Sequence, residues 1–394
     1  MFQNPHRLLT KMMNHKLLVA CCLGFTLFAA SGQAAMLEHR SQPEVLAWLG
    51  NYQPEVVSAD KRLPFPALMD ALGHNRVVFV GETHDRYDHH LNQLAILQAL
   101  HQRNPRLAIG VEWFQQPFQP VVDDFLAGKI DENELLRRTA YFDRWRYDYR
   151  MLRPIMEYAK ANHLPVIALN APAELTRKVS HGGLQALSPA ERAQLPASIS
   201  PPDEAYRSRL AKIFAEHSGK QQLENFVQVQ RIWDETMAQN ISRFLQPNPA
   251  WQMVVFSGSG HISHGAGIPQ DVAQQMPDIK LATVVSSDMR DIQPDMADYF
   301  ILTRPYSLPP TGKLGVWLNT IGKTVQIGEM AAGSAAQKAG LQTGDRLASL
   351  DGIAITSMTD LMLTLAQYKP GQQVQVQVAR AGETNLSAYA VTLQ

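Results

Sequence analysis

Four short apolar runs in this chain each deliver a polar or ionisable residue at their carboxyl end. Val77-Val78-Phe79-Val80 is closed by Gly81 and followed at once by Glu82 and His84. The run over 106–113 carries Glu112, and the run over 165–170 ends in Asn170. The run over 251–256 leads into Ser257-Gly258-Ser259-Gly260 and His261. Glu82 and His84 stand two residues apart, so in extended chain both side chains point to the same face. Carboxylates and imidazoles together offer a general base and about three ligands for a divalent metal ion that lowers the pKa of a bound water. Glu82, His84, Glu112 and His261 are therefore candidate catalytic residues of a metal-dependent hydrolase. No His-Glu-x-x-His is present, so zinc is not specified. The plainer alternative is that these pairs only fix strand ends.

A second chemistry lies in Tyr141, Phe142, Trp145, Tyr147 and Tyr149, interleaved with Arg144, Arg146 and Arg150. A tyrosine phenolate is hard and anionic and suits ferric haem iron. Arginines such as Arg146 and Arg150 can pair with haem propionates. Read without context, the stronger reading of the same residues is an aromatic cluster that pins the helical insertion.

Positioning these groups requires a sheet. Continuous apolar runs of this length, rich in β-branched residues, read as strands covered on both faces. In a parallel sheet their ends share one edge, where open α/β folds place ligands. The pattern thus predicts that Glu82, His84, Glu112, Asn170 and His261 converge. A helical stripe over 87–103 follows the first strand, with His89 and His90 in its first turn. Residues 121–163 read as helical, ending in a helix over 151–162 that leads to the next strand as a βαβ crossover would. No strand is evident over 172–246. Ser188-Pro189-Ala190-Glu191 reads as a helix start, and a long helix over 221–245 could lean over the sheet edge as a lid. Runs over 281–286 and 299–302 complete about six strands. The expected fold class is α/β, a mostly parallel sheet with flanking helices and a helical insertion, over 36–302. A linker rich in proline follows at 303–313, then a small β-rich domain over 314–394, where Val374, Val376 and Val378 alternate as in a half-buried strand.

The first 35 residues are set apart from the fold. Arg7, Lys11 and Lys16 precede an apolar run over 17–30 and then small residues, the order of a secretory signal peptide. The run falls short of the roughly 20 residues a membrane span needs, which places a retained anchor second. Leu18-Val19-Ala20-Cys21 resembles a lipoprotein cleavage box, so lipidation at Cys21 stays open. Cys21 and Cys22 are the only cysteines, which removes a disulfide framework or cysteine metal site and fits export to the bacterial periplasm. Lys plus Arg and Asp plus Glu both number 36, so no electrostatic case for nucleic acid exists.

Residues 312–393 resemble a bacterial PDZ domain. The match rests on Leu314-Gly315-Val316, Gly333-Ser334-Ala335-Ala336, the run Ala339-Gly340-Leu341-Gln342-Thr343-Gly344-Asp345, and Leu350-Asp351-Gly352 ahead of a helix over 359–365. The resemblance implies a site for a peptide or protein C-terminus, with Leu314, Gly315 and Val316 as the loop whose amides hold the carboxylate. A domain that only packs on its neighbour is the alternative.

Residues 63–302 resemble the ChaN family of haem-binding proteins linked to iron uptake, in a superfamily shared with Tiki proteases and erythromycin esterases. The residues that carry this are Gly81-Glu82-Thr83-His84, Glu112, Asp148-Tyr149 ahead of Arg153-Pro154, Asn170-Ala171-Pro172, Trp233-Asp234-Glu235-Thr236-Met237-Ala238 and Gly258-Ser259-Gly260-His261. The resemblance implies haem as cofactor and a tyrosine ligand to its iron. Tyr149 is the first candidate and Tyr147 the second, with a homodimer left open. Haem binding in haem or iron uptake is thus placed first and the hydrolase with a divalent metal ion second, since relatives sharing the Gly-Glu-x-His and Gly-x-x-His pair include hydrolases.

Overall fold

The computed structural model describes residues 43–394 except 51, 59, 60, 218–221, 289–291, 294, 323 and 384. The signal peptide expected over 1–35 and the lipidation expected at Cys21 lie outside the described residues. The chain divides into two units, Met1–Tyr52 and Gln53–Gln394. In the first, the described part is a helix, Pro43–Gly50.

The second unit contains two sheets. The strands of the larger one are β1 (Glu55–Ser58), β2 (Lys61–Leu63), β3 (Val77–Glu82), β4 (Leu107–Gln115), β5 (Val166–Asn170), β6 (Gln252–Gly258), β7 (Leu281–Ser287) and β8 (Tyr299–Leu302). They lie in the order β2-β1-β8-β7-β3-β6-β4-β5. The six from β8 to β5 run parallel, as the apolar runs predict. Every residue of β3, β4 and β6 is buried, which is why these strands read as unbroken apolar runs rather than alternating ones. The two further strands, β1 and β2, form an antiparallel hairpin on β8. With only Val56 and Val57 between polar neighbours, β1 carries too little periodicity to be read as a strand; its pairing with β8 supplies what its sequence lacks.

The parallel part of the sheet begins at β3, passes to β4 and β5, then returns to lay β6 between β3 and β4. That return brings the ends of the three strands side by side, with Glu82 of β3 directly opposite Gly258 of β6. Two helices flank this edge. Tyr87–Arg103 starts and ends where its stripe predicts. Leu223–Leu245 sends Met237, Ala238, Ile241 and Leu245 into a core with Val77, Phe79 and Val255. Expected as a lid, it is a packed wall against β5 and the helices Ala173–Gly182 and Ile268–Gln275. The insertion after β4 comprises the helices Gln119–Leu126, Glu132–Arg138 and Tyr141–Arg144, a tight turn at Tyr149–Met151, and the helix Arg153–Ala161. That last helix begins two residues later than expected. Pro154 explains the start, since its missing N–H is harmless only in a first turn.

Residues 303–315 form neither helix nor strand. The second sheet follows: β9 (Val316–Ile321), β10 (Thr324–Met330), β11 (Arg346–Leu350), β12 (Ile353–Ala354), β13 (Gln373–Ala379) and β14 (Ser387–Thr392), in the order β14-β13-β11-β10-β9 with β12 on β11. All its pairs are antiparallel. Val374, Val376 and Val378 point inward while the alternate glutamines are exposed, and the core they join includes Leu314, Ile327, Leu347, Leu361 and Val391. Three polar links tie this part to the larger one: Arg137 Nε donates to Asp360 Oδ1 at 2.9 Å, Thr320 Oγ1 to Asp143 Oδ1 at 3.0 Å, and Arg150 to the Pro309 carbonyl at 3.0 Å. Among the described residues, no helix is long and apolar enough to cross a membrane.

Candidate functional site at the carboxyl ends of β3, β4 and β6

Glu82 is the last residue of β3, and His84 follows in the turn above it. His84 Nδ1 donates to Glu82 Oε1 at 2.6 Å. Burial alone would lower the His84 pKa, but the hydrogen bond and charge of Glu82, with the charge of Glu112, raise it to about 9. The turn is braced from the Tyr87–Arg103 helix. His90 Nε2 lies 3.1 Å from the His84 carbonyl, and the Thr83 amide donates to His89 Nδ1 at 3.0 Å. His89 is an acceptor in a dry place, and burial brings its pKa down to about 4.

Glu112 projects from β4 towards β6, where the Gly258 amide donates to its Oε2 at 2.7 Å. Its Oε1 lies 3.4 Å from His261 Nε2. Burial would raise the Glu112 pKa. The charge and hydrogen bond of His261, the charge of His84 and the Gly258 amide outweigh it and hold the group at about 2. His261 sits in the tight turn after β6 and donates from Nδ1 to Asp234 Oδ1 at 2.7 Å. Burial would lower its pKa, yet Glu112 and Asp234 raise it to about 10. The site thus favours the imidazolium form of both histidines against buried carboxylates.

Close approach is possible because Gly258 has no side chain. A Cβ there would fall 2.7 Å from His84 Cε1. Gly81 has the same role one strand over, where a Cβ would fall 2.8 Å from Ile262 Cδ1 and 3.1 Å from the Ser259 backbone.

Glu82, His84, Glu112 and His261 therefore share one edge of the sheet. Asn170 ends β5 on that edge too, but its Oδ1 accepts from the Ala171 amide at 2.8 Å and closes its own turn. Donors arranged for a divalent metal ion are not found: among the described residues no three His, Cys, Asp or Glu side chains are grouped to hold one. The reason is visible in the pairing, since each carboxylate faces an imidazole or a backbone amide rather than a common centre. The alternative of a divalent metal ion at Glu82, His84, Glu112 and His261 thus gains no support.

Asp234 is the residue that sequence reasoning passed over as a site group. Besides His261 it accepts from the Tyr206 hydroxyl at 2.8 Å and from Arg231 at 3.3 Å. Arg231 also reaches Glu235 and Asp271. The sequence carries a signal: Arg231, Asp234 and Glu235 stand in one helix at spacings that bring their side chains together. One arginine against three buried acids leaves an excess of negative charge, and burial pushes Asp271 up to about 7.

The aromatic insertion divides in two. The rings of Trp145 and Tyr147 lie 4.8 and 5.0 Å from the His84 ring, half-buried over the Glu82–His84 pair. Burial, then the charges of Glu82, Asp85 and Glu112, raise the Tyr147 pKa. Tyr149 instead points into the insertion, where it is 1 % exposed and its ring meets Tyr141 edge-on at 5.3 Å. Its hydroxyl has no hydrogen-bond partner among the described residues, and burial raises its pKa well above the ordinary phenol value. Arg150 is engaged by Asp148 and the Pro309 carbonyl. Arg146 is exposed, with φ at 71°, and lines cavities that face the second sheet.

In the smaller sheet, Leu314 is buried and Gly315 takes a positive φ of 72°. The carbonyls of Leu314 and Gly315 accept from the Ala336 and Ala331 amides, turning the loop ahead of β9.

A family model described as haem-binding uptake, Tiki superfamily, ChaN matches residues 68–272, and a PDZ model matches residues 312–389. The chain is similar to a solved structure described as cofacial heme binding to ChaN of Campylobacter jejuni. The two are 18 % identical over 64 % of this chain and 97 % of that one, with a TM-score of 0.52, a likeness of fold. An erythromycin esterase EreC structure is 12 % identical over 61 % of this chain and 78 % of its own, at a TM-score of 0.37. Protein RETICULATA-RELATED 5, chloroplastic, of Arabidopsis thaliana is 24 % identical over 244 residues, and the chain spans 32 % of that relative's length. With more than half its length matched by that family model, the chain belongs to the ChaN haem-binding uptake family of the Tiki superfamily and carries a PDZ domain behind it.

Proposed function

We propose that the protein binds ferric haem on the face formed by Trp145, Tyr147 and His84, with the Tyr147 oxygen on the iron. The observation that carries this reading is that Trp145 and Tyr147 are laid half-buried over the Glu82–His84 pair. Two aromatic rings offer flat apolar surface to a porphyrin, and a phenol beside them offers a hard ligand. Tyr149, first in the order drawn from sequence, fits less well, because its oxygen is enclosed by protein. The phenol of Tyr147 is held protonated by burial and by the neighbouring carboxylates. A ferric ion is the kind of charge that would displace that proton. The cationic His84 ring would keep the face from carrying excess negative charge, and it suits an anionic propionate. Bound haem would supply iron that can be handed on, since reduction weakens a phenolate bond.

Export by the leader over 1–35 and a part in haem or iron uptake outside the cytoplasm complete the proposal, supported by the charge order of residues 7–35 and by the family. The PDZ domain is read as the module that takes a peptide C-terminus, on the loop Leu314-Gly315-Val316 and the edge of β9.

Haemin titration of the full chain tests the haem reading. Tyr147→Phe should remove the tyrosinate-type spectrum and weaken binding by at least tenfold, whereas Tyr149→Phe should leave both in place. Unchanged affinity and spectrum in Tyr147→Phe, with loss in Tyr149→Phe, would restore the order drawn from sequence. No change in either would remove tyrosine ligation altogether.

A further inference from the structure

The open edge of β9 faces the insertion across a groove whose charge neither the haem face nor the cores account for. β9 ends its sheet and pairs with β10 alone, so its outer backbone groups are available to a further strand. Two contiguous cavities run along that edge. The first, about 350 Å³, lies beneath the Leu314–Val316 loop, with Leu318, Met362 and Leu365 on one side and Phe142 of the insertion on the other. The second, about 820 Å³, continues along β9 to Thr320. Val316, Leu318 and Met362 border both cavities, as do Phe142 and Arg146.

The far wall of the second cavity belongs to the larger part of the chain and carries Arg144, Arg146 and Arg177 with Asp143 and Glu174. Arg144 is committed to Glu174 and to Gln115, and Asp143 accepts from Thr320. Arg146 and Arg177 have no carboxylate in ion-pair contact among the described residues. Three arginines thus face two acids along a strand edge, with Glu174 also feeling the charge of Arg177, and the wall keeps a positive excess.

We propose that this groove is a composite site, completed by the insertion, for a peptide C-terminus with acidic residues just upstream. The last side chain would occupy the 350 Å³ cavity, with its carboxylate on the amides of the Leu314–Val316 loop. The preceding residues would pair with β9 and run towards Thr320, where Arg146 and Arg177 meet acidic side chains. This rests on the peptide reading of the PDZ domain given above; what it adds is the second wall and the charge preference. Exposed pairs of this kind are individually weak, so two of them should favour an acidic over a neutral ligand by about 2- to 30-fold, and less at high salt.

The experiment uses the full chain and two labelled decapeptides with the same apolar last three residues, one with Asp and Glu upstream and one with Lys, read by fluorescence anisotropy. The expected result is tighter binding of the acidic peptide at low salt, with the difference collapsing at high salt. Arg146→Glu combined with Arg177→Glu should reverse the preference, and circular dichroism checks the fold. If that pair fails to fold, Arg177→Glu alone should narrow the difference. Equal affinities, or a preference the reversals do not move, would overturn the composite site and leave the peptide reading standing. Binding of neither peptide, or equal binding of C-terminally amidated versions, would overturn the peptide reading and the composite site with it.

Discussion

His261 is held at both ring nitrogens by carboxylates, with Nδ1 2.7 Å from Asp234 Oδ1 and Nε2 3.4 Å from Glu112 Oε1. The residue that follows the fourth apolar run is therefore fixed from a helix on one side and a strand on the other. Asp234 is the shared element, because it also meets Arg231 and Tyr206. Removing one partner of a buried pair leaves an uncompensated charge, typically at a cost of about 3–5 kcal/mol. Asp234→Ala should destabilise the protein by about that amount, as read from urea denaturation, and should lower the His261 pKa by NMR titration. A loss below about 1 kcal/mol would mean that Glu112 alone holds His261.

Stability should depend on pH on both sides of neutrality. His84 and His261 have folded pKa values of about 9 and 10, above the ordinary 6.5. Their contribution is complete below 6.5 and is lost as pH rises through 9 to 10. His89 works in the opposite sense: its folded value of about 4 makes its contribution complete above 6.5 and lost as pH falls through 4. Glu112, at about 2 when folded, adds a loss that begins below 4.5. The melting temperature should therefore peak near pH 6 to 7. Glu112→Gln should flatten the alkaline limb, since it removes the largest charge that raises His261. A curve that keeps rising to pH 9 would show that neither imidazolium is favoured in the folded state.

The parallel strands were legible because β3, β4 and β6 are buried along their whole length, with β5, β7 and β8 only partly exposed, so burial and sequence nearly coincide. The convergence of Glu82, His84, Glu112 and His261 followed from that, since strand ends in a parallel sheet share an edge. The hairpin Glu55 to Leu63 was not legible, because its stability comes from pairing with β8 rather than from its own side chains. The spacing of Asp234 from Arg231 was legible, but its contact with His261 was not. On sequence it belongs to a helix stripe, and only the return of the chain through β6 places it on His261. Local reasoning placed Tyr149 ahead of Tyr147 because a place just before a helix looks rigid; the turn at Tyr149–Met151 directs Tyr149 inward and leaves Tyr147 beside His84.

Tyr149 offers a test of that inward placement without any ligand. Its hydroxyl is buried with no partner among the described residues, as is that of Tyr141. An unsatisfied buried hydroxyl costs about 1–3 kcal/mol, whereas the ring's packing on Tyr141 does not need the oxygen. Tyr149→Phe should therefore leave stability unchanged or raise it by about 1 kcal/mol in chemical denaturation. A loss of more than about 1 kcal/mol would mean that the hydroxyl has a partner and that the ring sits differently.

The link between the two sheets sets the last expectation. Residues 303–315 form no helix or strand, and Thr303 Oγ1 donates to Asp88 at 2.9 Å at one end of the stretch. The parts also meet through Arg137–Asp360 and Thr320–Asp143, both exposed, and such contacts contribute at most about 1 kcal/mol each. Between them lie the two cavities, and the direct packing is that of the helix Met358–Leu365 on the short helices Glu132–Arg138 and Tyr141–Arg144. Each sheet has its own apolar core. A protease site introduced at residues 305–308 should thus yield two folded pieces that separate on size exclusion at micromolar concentration. The piece with the larger sheet should keep its haem titration, because Trp145, Tyr147 and His84 all lie within it. The piece with the smaller sheet should bind acidic and basic C-terminal peptides alike, because Arg146 and Arg177 leave with its neighbour. Co-elution of the pieces would show that Phe142 and its surroundings hold the two parts more tightly than the polar links suggest. Unfolding of the larger piece would make the PDZ domain a structural part of its fold.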